Sequence, residues 1–380
     1  RTTAPPGAGA FLMADQQVHL QKQLLDACAE GSPLRIIGGN SRPFLPTCSA
    51  LATLKLDQHS GILEYQPEER VITLRSGTTL QELNQHLQQH RQQLPFEPPQ
   101  FSPHSTIGGA IATALTGPGR PWRGGVRDAL LGVKVLTGNG SILQLGGSVV
   151  KNVAGYDLFR PMAGAYGSLG VLLELSIKTV PMDELQSYWS TTLEIEESLQ
   201  RMQQINLNNL PLTGMSWADG ALHVRLSASR EELMACHQKM ESLNLSDQTS
   251  SSTEHTFWAQ LHHQQHPLFK RTDPLWRVSL PPASPLLDDL EHSKGTATIL
   301  DWGGAQRWLS TTARAEQLRS QAESAGGHAM LYRNPLAGVE RFHPLSTPLQ
   351  LIHQQLRRLM DPCSILNPGL FSEPLYQDEA

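Results

Sequence analysis

Cysteine is scarce in this 380-residue chain: Cys28, Cys48, Cys236 and Cys363 are scattered, and no two stand in a C-x-x-C spacing. That spacing excludes iron–sulfur ligation and zinc ribbons built from this chain alone, and ordinary buried thiols are expected instead. Long apolar runs are missing too, so no segment reaches the 18 or more residues of a membrane span, and no charged-then-apolar leader opens the sequence. A soluble, intracellular and cytoplasmic protein is expected, with any contact to the inner membrane made through partners. There is no Lys/Arg run, and the formal charge is −5, which makes nucleic acid a poor ligand. Several familiar motifs are absent. No G-x-G-x-x-G follows a strand, and G-x-x-x-x-G-K-[ST], G-x-S-x-G and H-E-x-x-H do not occur. Rossmann nicotinamide binding, P-loop hydrolysis, serine-hydrolase and zincin chemistries are thereby disfavoured. Charged residues, at 17%, are few, which argues against disorder.

Glycine is unevenly placed. Of 31 glycines, 15 fall between Gly108 and Gly170, and this stretch is also the basic one. Residues 108–180 carry +4, against −1 for 1–107 and −8 for 181–380. Backbone without side chains in a positive setting suits an anionic ligand. Length makes two domains the natural expectation. Residues 1–13 read as a flexible tail in which Met13 offers a start.

From residue 14 the pattern is α+β. An amphipathic helix with Leu20, Leu24, Ala27 and Cys28 stops at Gly31, and a buried strand, Leu34 to Ile37, runs into Gly38-Gly39-Asn40-Ser41. Strands follow at 53–56, 62–65 and 71–76, then a helix with Thr79 and Glu82 in capping-box spacing. A hairpin at 130–136 and 141–145 turns on Gly138-Asn139-Gly140. The region closes on a strand whose Val171, Leu173, Leu175 and Ile177 predict burial on one side.

Composition changes at Pro181. Strand 188–193, helix 195–206, strands 213–218 and 221–226 and helix 230–243 are followed, beyond a low-complexity link at 246–252, by a second set. That set is strand 275–280, a short helix near 285–291, strands 297–301 and 306–311, helix 314–324 and strand 328–333. Both have ferredoxin-like order and predict one large antiparallel sheet from two halves. A last helix starts at Thr347-Pro348 and carries Leu349, Ile352, Leu356 and Leu359 on one face. His262 and His266, four apart, are expected on a solvated helix face, with metal binding the lesser alternative.

After its strand, the Gly38-Gly39-Asn40-Ser41-Arg42 segment can curl its N–H groups into an anion nest, with Asn40, Ser41 and Arg42 as side-chain donors; a plain turn is the alternative. Ser105-Thr106-Ile107-Gly108-Gly109 offers hydroxyls, then bare backbone for a flat ligand. These segments combine with Val126-Arg127-Asp128, Lys151-Asn152-Val153-Ala154-Gly155-Tyr156-Asp157, Gly164-Ala165-Tyr166-Gly167-Ser168-Leu169-Gly170-Val171, and Asp361-Pro362-Cys363 with Asn367-Pro368-Gly369. Together they resemble the vanillyl-alcohol-oxidase-type flavoproteins with a PCMH-type FAD-binding domain. Within these the chain is similar to the FAD-binding subunits of bacterial glycolate oxidases, from about Ala14 to Phe371, with Lys151 to Asp157 and Asp301-Trp302-Gly303-Gly304 the most subunit-specific parts.

The resemblance implies an FAD domain of two α+β subdomains at 14–181, a cap domain at 182–341 and a C-terminal return at 342–380. It implies FAD contacts at Ile37, Gly38, Gly39, Asn40, Ser41, Thr106, Gly108, Gly109, Arg127, Asp128, Asn152, Gly155, Gly164, Gly167, Gly170, Val171 and Asn367. Many relatives attach flavin through a histidine near the first glycine loop; Asn40 and Ser41 stand there, so non-covalent FAD is expected. No metal is expected, and the histidine-rich cap motifs of 2-hydroxy-acid dehydrogenases are absent, with Gly326-Gly327-His328-Ala329 in place of their E-H-G segment. Oxidising a 2-hydroxy acid needs a cation for the carboxylate and a base for the hydroxyl proton. Arg333 and His328 are the candidates, with structural roles the alternative. The implied activity is oxidation of glycolate to glyoxylate, with electrons leaving through a sister FAD subunit and an iron–sulfur subunit. An FAD-holding assembly or relay subunit without substrate chemistry is the second reading, and a nucleotide-sugar reductase the third.

Overall fold

The computed structural model describes residues 15–42, 52–147, 157–287, 290 and 295–369. In the first part of the chain α1 (Gln17–Glu30), β1 (Leu34–Ile37), β2 (Ala52–Lys55), β3 (Ile62–Gln66), β4 (Val71–Arg75), α2 (Leu80–Gln89) and β5 (Gln92–Gln93) precede α3 (Ile107–Thr113). Then come α4 (Arg120–Arg123), α5 (Val126–Ala129), β6 (Leu130–Leu136), β7 (Ile142–Gly146), β8 (Val171–Lys178) and β9 (Val180–Pro181). Helix α2 starts where its capping box predicts: Thr79 accepts from the Glu82 amide, and the Glu82 carboxylate accepts from the Thr79 amide.

Five antiparallel strands form a sheet of order β3-β4-β8-β6-β7. One face packs against α2 and α3 through Leu80, Leu83, Leu87, Ile107 and Ile111. The other carries α1 and the parallel pair β1-β2 through Leu20, Leu24, Leu34 and Leu54. The central strand β8 is consequently covered on both sides. Leu172 and Ser176, between the apolar positions expected to be buried, are buried as well, so the expectation of one-sided burial fails.

The second part comprises β10 (Leu185–Thr192), α6 (Ile195–Asn206), β11 (Leu212–Ala218), β12 (Ala221–Ala228), α7 (Arg230–Ser242), β13 (Ser246–Asp247), α8 (Ser252–His262), β14 (Leu275–Ser279), β15 (Ala297–Asp301), β16 (Gln306–Ser310), α9 (Ala315–Ser324) and β17 (His328–Arg333), followed by α10 (Thr347–Met360). Its eight strands run β13-β10-β12-β11-β15-β16-β14-β17. Each half places its fourth strand beside its first, then its third, then its second, which is ferredoxin-like order twice over. The halves meet edge to edge where Trp217 of β11 pairs with Leu300 of β15. Helices α6, α7 and α9 cover one face. The other face, with Tyr188, Trp308, Met330 and Tyr332, meets α8 and, from the first part, Leu115, Phe101 and Tyr166.

Three expectations need correction. The presumed link at 246–252 supplies β13, which pairs with β10, and then starts α8, because Ser251 caps that helix by accepting from the Glu254 amide. Pro285 to Leu287 are not helical, and the rest of the short helix expected there lies largely outside the described residues. Third, Cys28 and Cys363 are not separate thiols. A disulfide joins them across a sequence separation of 335, between the end of α1 and the segment after α10. Cys236 is a half-buried free thiol. A bridge between distant residues restricts the unfolded chain, typically by about 2–4 kcal/mol. Thermal melts with and without a phosphine reductant should therefore separate by several degrees, and coincident melts would remove the bridge from the stability of the fold.

Candidate functional site

The site begins where β1 ends. Two glycines there are dictated by contact: a Cβ on Gly38 would overlap the Thr106 hydroxyl, and one on Gly39 the His104 carbonyl oxygen. The loop therefore lies flat on 104–106, with Asn40 in the left-handed region (φ 47°) accepting a 2.9 Å hydrogen bond from Arg35 Nη2. Across it, Thr106 caps α3 by accepting from the Gly109 amide. Gly109 leaves room for Arg42, whose Nη1 would sit 2.8 Å from a Cβ at that position.

Between these segments opens a cleft. Eleven of the residues expected to contact a cofactor line it: Ile37, Gly38, Gly39, Asn40, Ser41, Thr106, Gly108, Gly109, Gly167, Gly170 and Asn367. Arg35, Arg42, Thr113 and Tyr166 join them. Asn367 reaches the cleft from the C-terminal segment. Its Oδ1 accepts from the Ile36 amide at 2.7 Å, and its Nδ2 donates to the Tyr166 carbonyl at 2.7 Å. That return is fixed by Asp361, a buried carboxylate that accepts from the amides of Ile365 and Leu366 and presses against Gly138. Gly138, which the sequence explains as part of a hairpin turn, is thus also needed for close approach.

Four expected contacts lie elsewhere. Asp128 accepts from the Gly125 amide, and Arg127 beside it is exposed. Gly164 faces Ala114, and Val171 is buried beneath β1 and β2. Asn152 and Gly155 lie outside the described residues.

Arg42 decides what the cleft can hold. It is half-buried, with its guanidinium 5.3 Å above the Phe101 ring, and its buried Nε and Nη2 have no hydrogen-bond partner among the described residues. Burial lowers its pKa below the usual arginine value, with Tyr332 and Tyr166 opposing. A buried cation with unused donors is costly unless an anion arrives to meet it. The glycine-lined walls admit a flat, elongated ligand alongside.

Tyr332, which interacts with Arg42, belongs to the sheet face of the second part. Arg277 on β14 donates from Nε to Gln306 at 2.6 Å and lies 5.2 Å above Trp302 and 5.9 Å above Trp308. Burial lowers its pKa as well, opposed first by Tyr166 and then by Tyr332. Both phenols are pushed up by burial, and Arg42 and Arg277 pull each of them back. Three arginines, Arg42, Arg277 and Arg341, therefore share one neighbourhood with two tyrosines. Asp301 is the nearby carboxyl, and burial raises its pKa to about 7; it accepts from the Trp302 amide and from Gln306 Nε2 at 3.2 Å. A carboxyl whose folded pKa exceeds its unfolded one favours the folded state at low pH, an advantage lost as pH rises from about 4 towards 7. Asp301→Asn should flatten the pH dependence of the melting temperature between pH 4 and 7, and an unchanged slope would contradict that.

The candidates Arg333 and His328 sit at opposite ends of β17. Arg333 donates from Nη1 to the Phe269 carbonyl and from Nη2 to Gln264 Oε1, which also accepts from the Tyr332 hydroxyl. His328, exposed at the start of β17, shares a face with the buried Met330 and Tyr332; partial desolvation and then Arg277 lower its pKa, so it is neutral at pH 7. The expectation for His262 and His266 is corrected: neither lies on a solvated face. His262 donates from Nε2 to the Pro98 carbonyl, burial lowering its pKa to about 4. His266 is buried, bonded to Asp219 and the Leu268 amide. Glu97, beside His262, accepts from Arg225 of β12 and from the Gly119 amide, while Trp302 donates to the Gly117 carbonyl at 3.0 Å. The bonds of Arg225 and Trp302 tie the eight-stranded sheet to the first part.

Of the residues that matter here, Arg42 is visible in sequence as the end of the glycine loop. Arg277 has one signal, a cation at an inward position of an apolar strand. Tyr166 and Tyr332 have none.

Residues 8–146 match the FAD binding domain family. The glycolate oxidase subunit GlcE of Escherichia coli (strain K12) is 40% identical over 355 residues, 93% of this chain and 97% of that protein. The chain belongs to the glycolate oxidase subunit GlcE family. It is a flavin-dependent oxidoreductase chain whose cofactor is FAD. The glycolate oxidase subunit GlcD of Bacillus subtilis (strain 168) is 30% identical over 48% of this chain and 38% of its own. A D-lactate dehydrogenase of Anaerostipes hadrus is 33% identical over 34% of this chain and 26% of its own. Among solved structures, an alkyldihydroxyacetonephosphate synthase superposes with a TM-score of 0.66 at 14% identity, covering 92% of this chain and 74% of that one, a likeness of fold. No described helix is long and apolar enough to cross a membrane.

Proposed function

We propose that the chain works as the FAD-binding subunit of a cytoplasmic glycolate oxidase complex, oxidising glycolate to glyoxylate. The observation that carries this is the clustering of Arg42, Arg277 and Arg341 with Tyr166 and Tyr332, of which Arg42 and Tyr166 line the glycine cleft. In this reading the chain divides at 14–181, 182–341 and 342–380. Supporting the division, the layers around the cleft use residues up to Pro181, the eight-stranded sheet starts at Leu185, and Leu366 returns to bridge Leu34.

Gly38 to Arg42 would hold the pyrophosphate, and Thr106 to Gly109 with Gly167 and Gly170 would flank the remaining length. The free donors of Arg42 fit that group. FAD, when bound, supplies the hydride acceptor. Arg277 would take the substrate carboxylate, the Tyr166 and Tyr332 phenols would orient the hydroxyl, and neutral His328 would accept its proton. Asn40 and Ser41 leave the flavin without a covalent anchor in the loop, so acid precipitation should release it into the supernatant; flavin retained in the pellet would contradict this.

Arg333 favours the second reading, an FAD-holding relay beside a catalytic sister. Its guanidinium is engaged by Phe269 and Gln264 rather than offered to a ligand. Adding glycolate anaerobically separates the two. Bleaching of the flavin in the isolated chain supports the enzyme, and bleaching only with the sister flavoprotein present supports the relay. Electrons would leave through an iron–sulfur subunit, since the one described free thiol, Cys236, stands alone and Cys28 is bonded to Cys363.

A further inference from the structure

The last helix is built to be covered. On α10, Leu349, Ile352, Leu356, Leu359 and Met360 form one stripe, as helical spacing predicts. Only its end is used within the chain: Met360 is buried and Leu356 packs beside it against the core of the first part. The rest projects. Leu349 is 47% exposed, Ile352 58% and Leu359 77%, with Leu351 at 54% and Leu345, just before the helix, at 38%. Burial of this face within the chain is the natural expectation for such a pattern, and the structure does not provide it. Contiguous apolar surface of this kind marks an interaction site.

Charge selects the occupant. From Arg341 to Met360 there is no Asp or Glu, while Arg341, Arg357 and Arg358 are present, in a part of the chain that is otherwise acidic. A second copy of α10 offers Arg358 no acidic partner, because the segment from Arg341 to Met360 carries none. A lipid surface needs several exposed cations along the helix. Here Arg358 is exposed, Arg357 is buried, and the polar positions between are mostly glutamine. The remaining fit is an apolar groove with an acidic rim on another protein, which would take the helix through Leu349, Ile352 and Leu359 at successive turns.

We infer that the α10 face is the docking surface for another subunit of the oxidase, one presenting an apolar groove with an acidic rim. This rests on the reading of the chain as one member of a complex. The test is co-expression of the tagged chain with the untagged sister flavoprotein and iron–sulfur subunits. Affinity for them should fall at least about 30-fold in Ile352→Glu/Leu359→Glu, the size of a typical hot-spot loss. FAD content and melting temperature should stay at wild-type levels, and Leu207→Glu/Met234→Glu should leave assembly intact. If the double glutamate variant misfolds, Ile352→Ser/Leu359→Ser gives the same comparison. Full assembly by a folded variant would overturn the inference. So would a wild-type chain that dimerises alone, or binds anionic vesicles alone, through these same residues. A colourless wild-type chain would instead count against the flavin reading, so the two failures are distinguishable.

Discussion

Arg42→Met is expected to strip the flavin from the purified chain. The guanidinium is buried, and its Nε and Nη2 have no partner among the described residues, so the folded chain carries an uncompensated cation at the end of the glycine loop. Supplying two phosphate oxygens there would satisfy both donors. Hydrogen bonds to charged groups are worth about 1.5–3 kcal/mol each, so removing them should weaken FAD binding by roughly two orders of magnitude or more. The variant itself should fold at least as well as the parent, because methionine fills the space above Phe101 without a buried charge. The measurement is the ratio of flavin to protein absorbance after gel filtration, followed by titration with added FAD. A variant that retains full flavin would show that Arg42 does not face the cofactor.

The second large effect is expected at Arg277. Placed on β14 above Trp302 and Trp308 and near both phenols, it is held by one hydrogen bond among the described residues, to Gln306. Losing one partner of a desolvated charge pair costs about 2–5 kcal/mol. Arg277→Met should therefore lower kcat/KM for glycolate in the whole complex by roughly 30-fold to several thousand-fold. Arg277→Lys should restore part of it, and FAD content should be unaffected because the residue lies on the cap sheet. Unchanged kcat/KM with full flavin would move glycolate chemistry to the sister subunit, the relay arrangement that Arg333 already favours.

How much of this was legible in the sequence follows from the range of each interaction. The cleft was legible because its determinants are local: a buried strand, then glycines whose missing side chains allow the loop to lie on Thr106 and His104. Both ferredoxin-like halves were legible because strand alternation, helix periodicity and caps such as Ser229 with Glu232 act over a few residues. What the sequence hid depends on long-range packing. The Cys28–Cys363 bridge joins residues 335 apart, and no spacing rule reaches that far. His262 looked solvated among His263, Gln264 and Gln265, but α8 packs onto the loop carrying Glu97 and Pro98. Helical spacing does reveal the stripe on α10. Its exposure follows from where the helix leaves the core, which periodicity does not encode. Arg127, Asp128, Gly164 and Val171 belong to segments that support the cleft without lining it.

The central claim is that the glycine cleft beside Arg42 holds one FAD. Its most direct test is a titration of flavin-free chain with FAD, followed by flavin fluorescence, on the wild type and on Arg42→Met side by side. The account predicts saturation at one FAD per wild-type chain and binding at least roughly a hundredfold weaker in the variant. A wild-type chain that takes up no FAD, or a variant that binds it as tightly as the wild type, would contradict it.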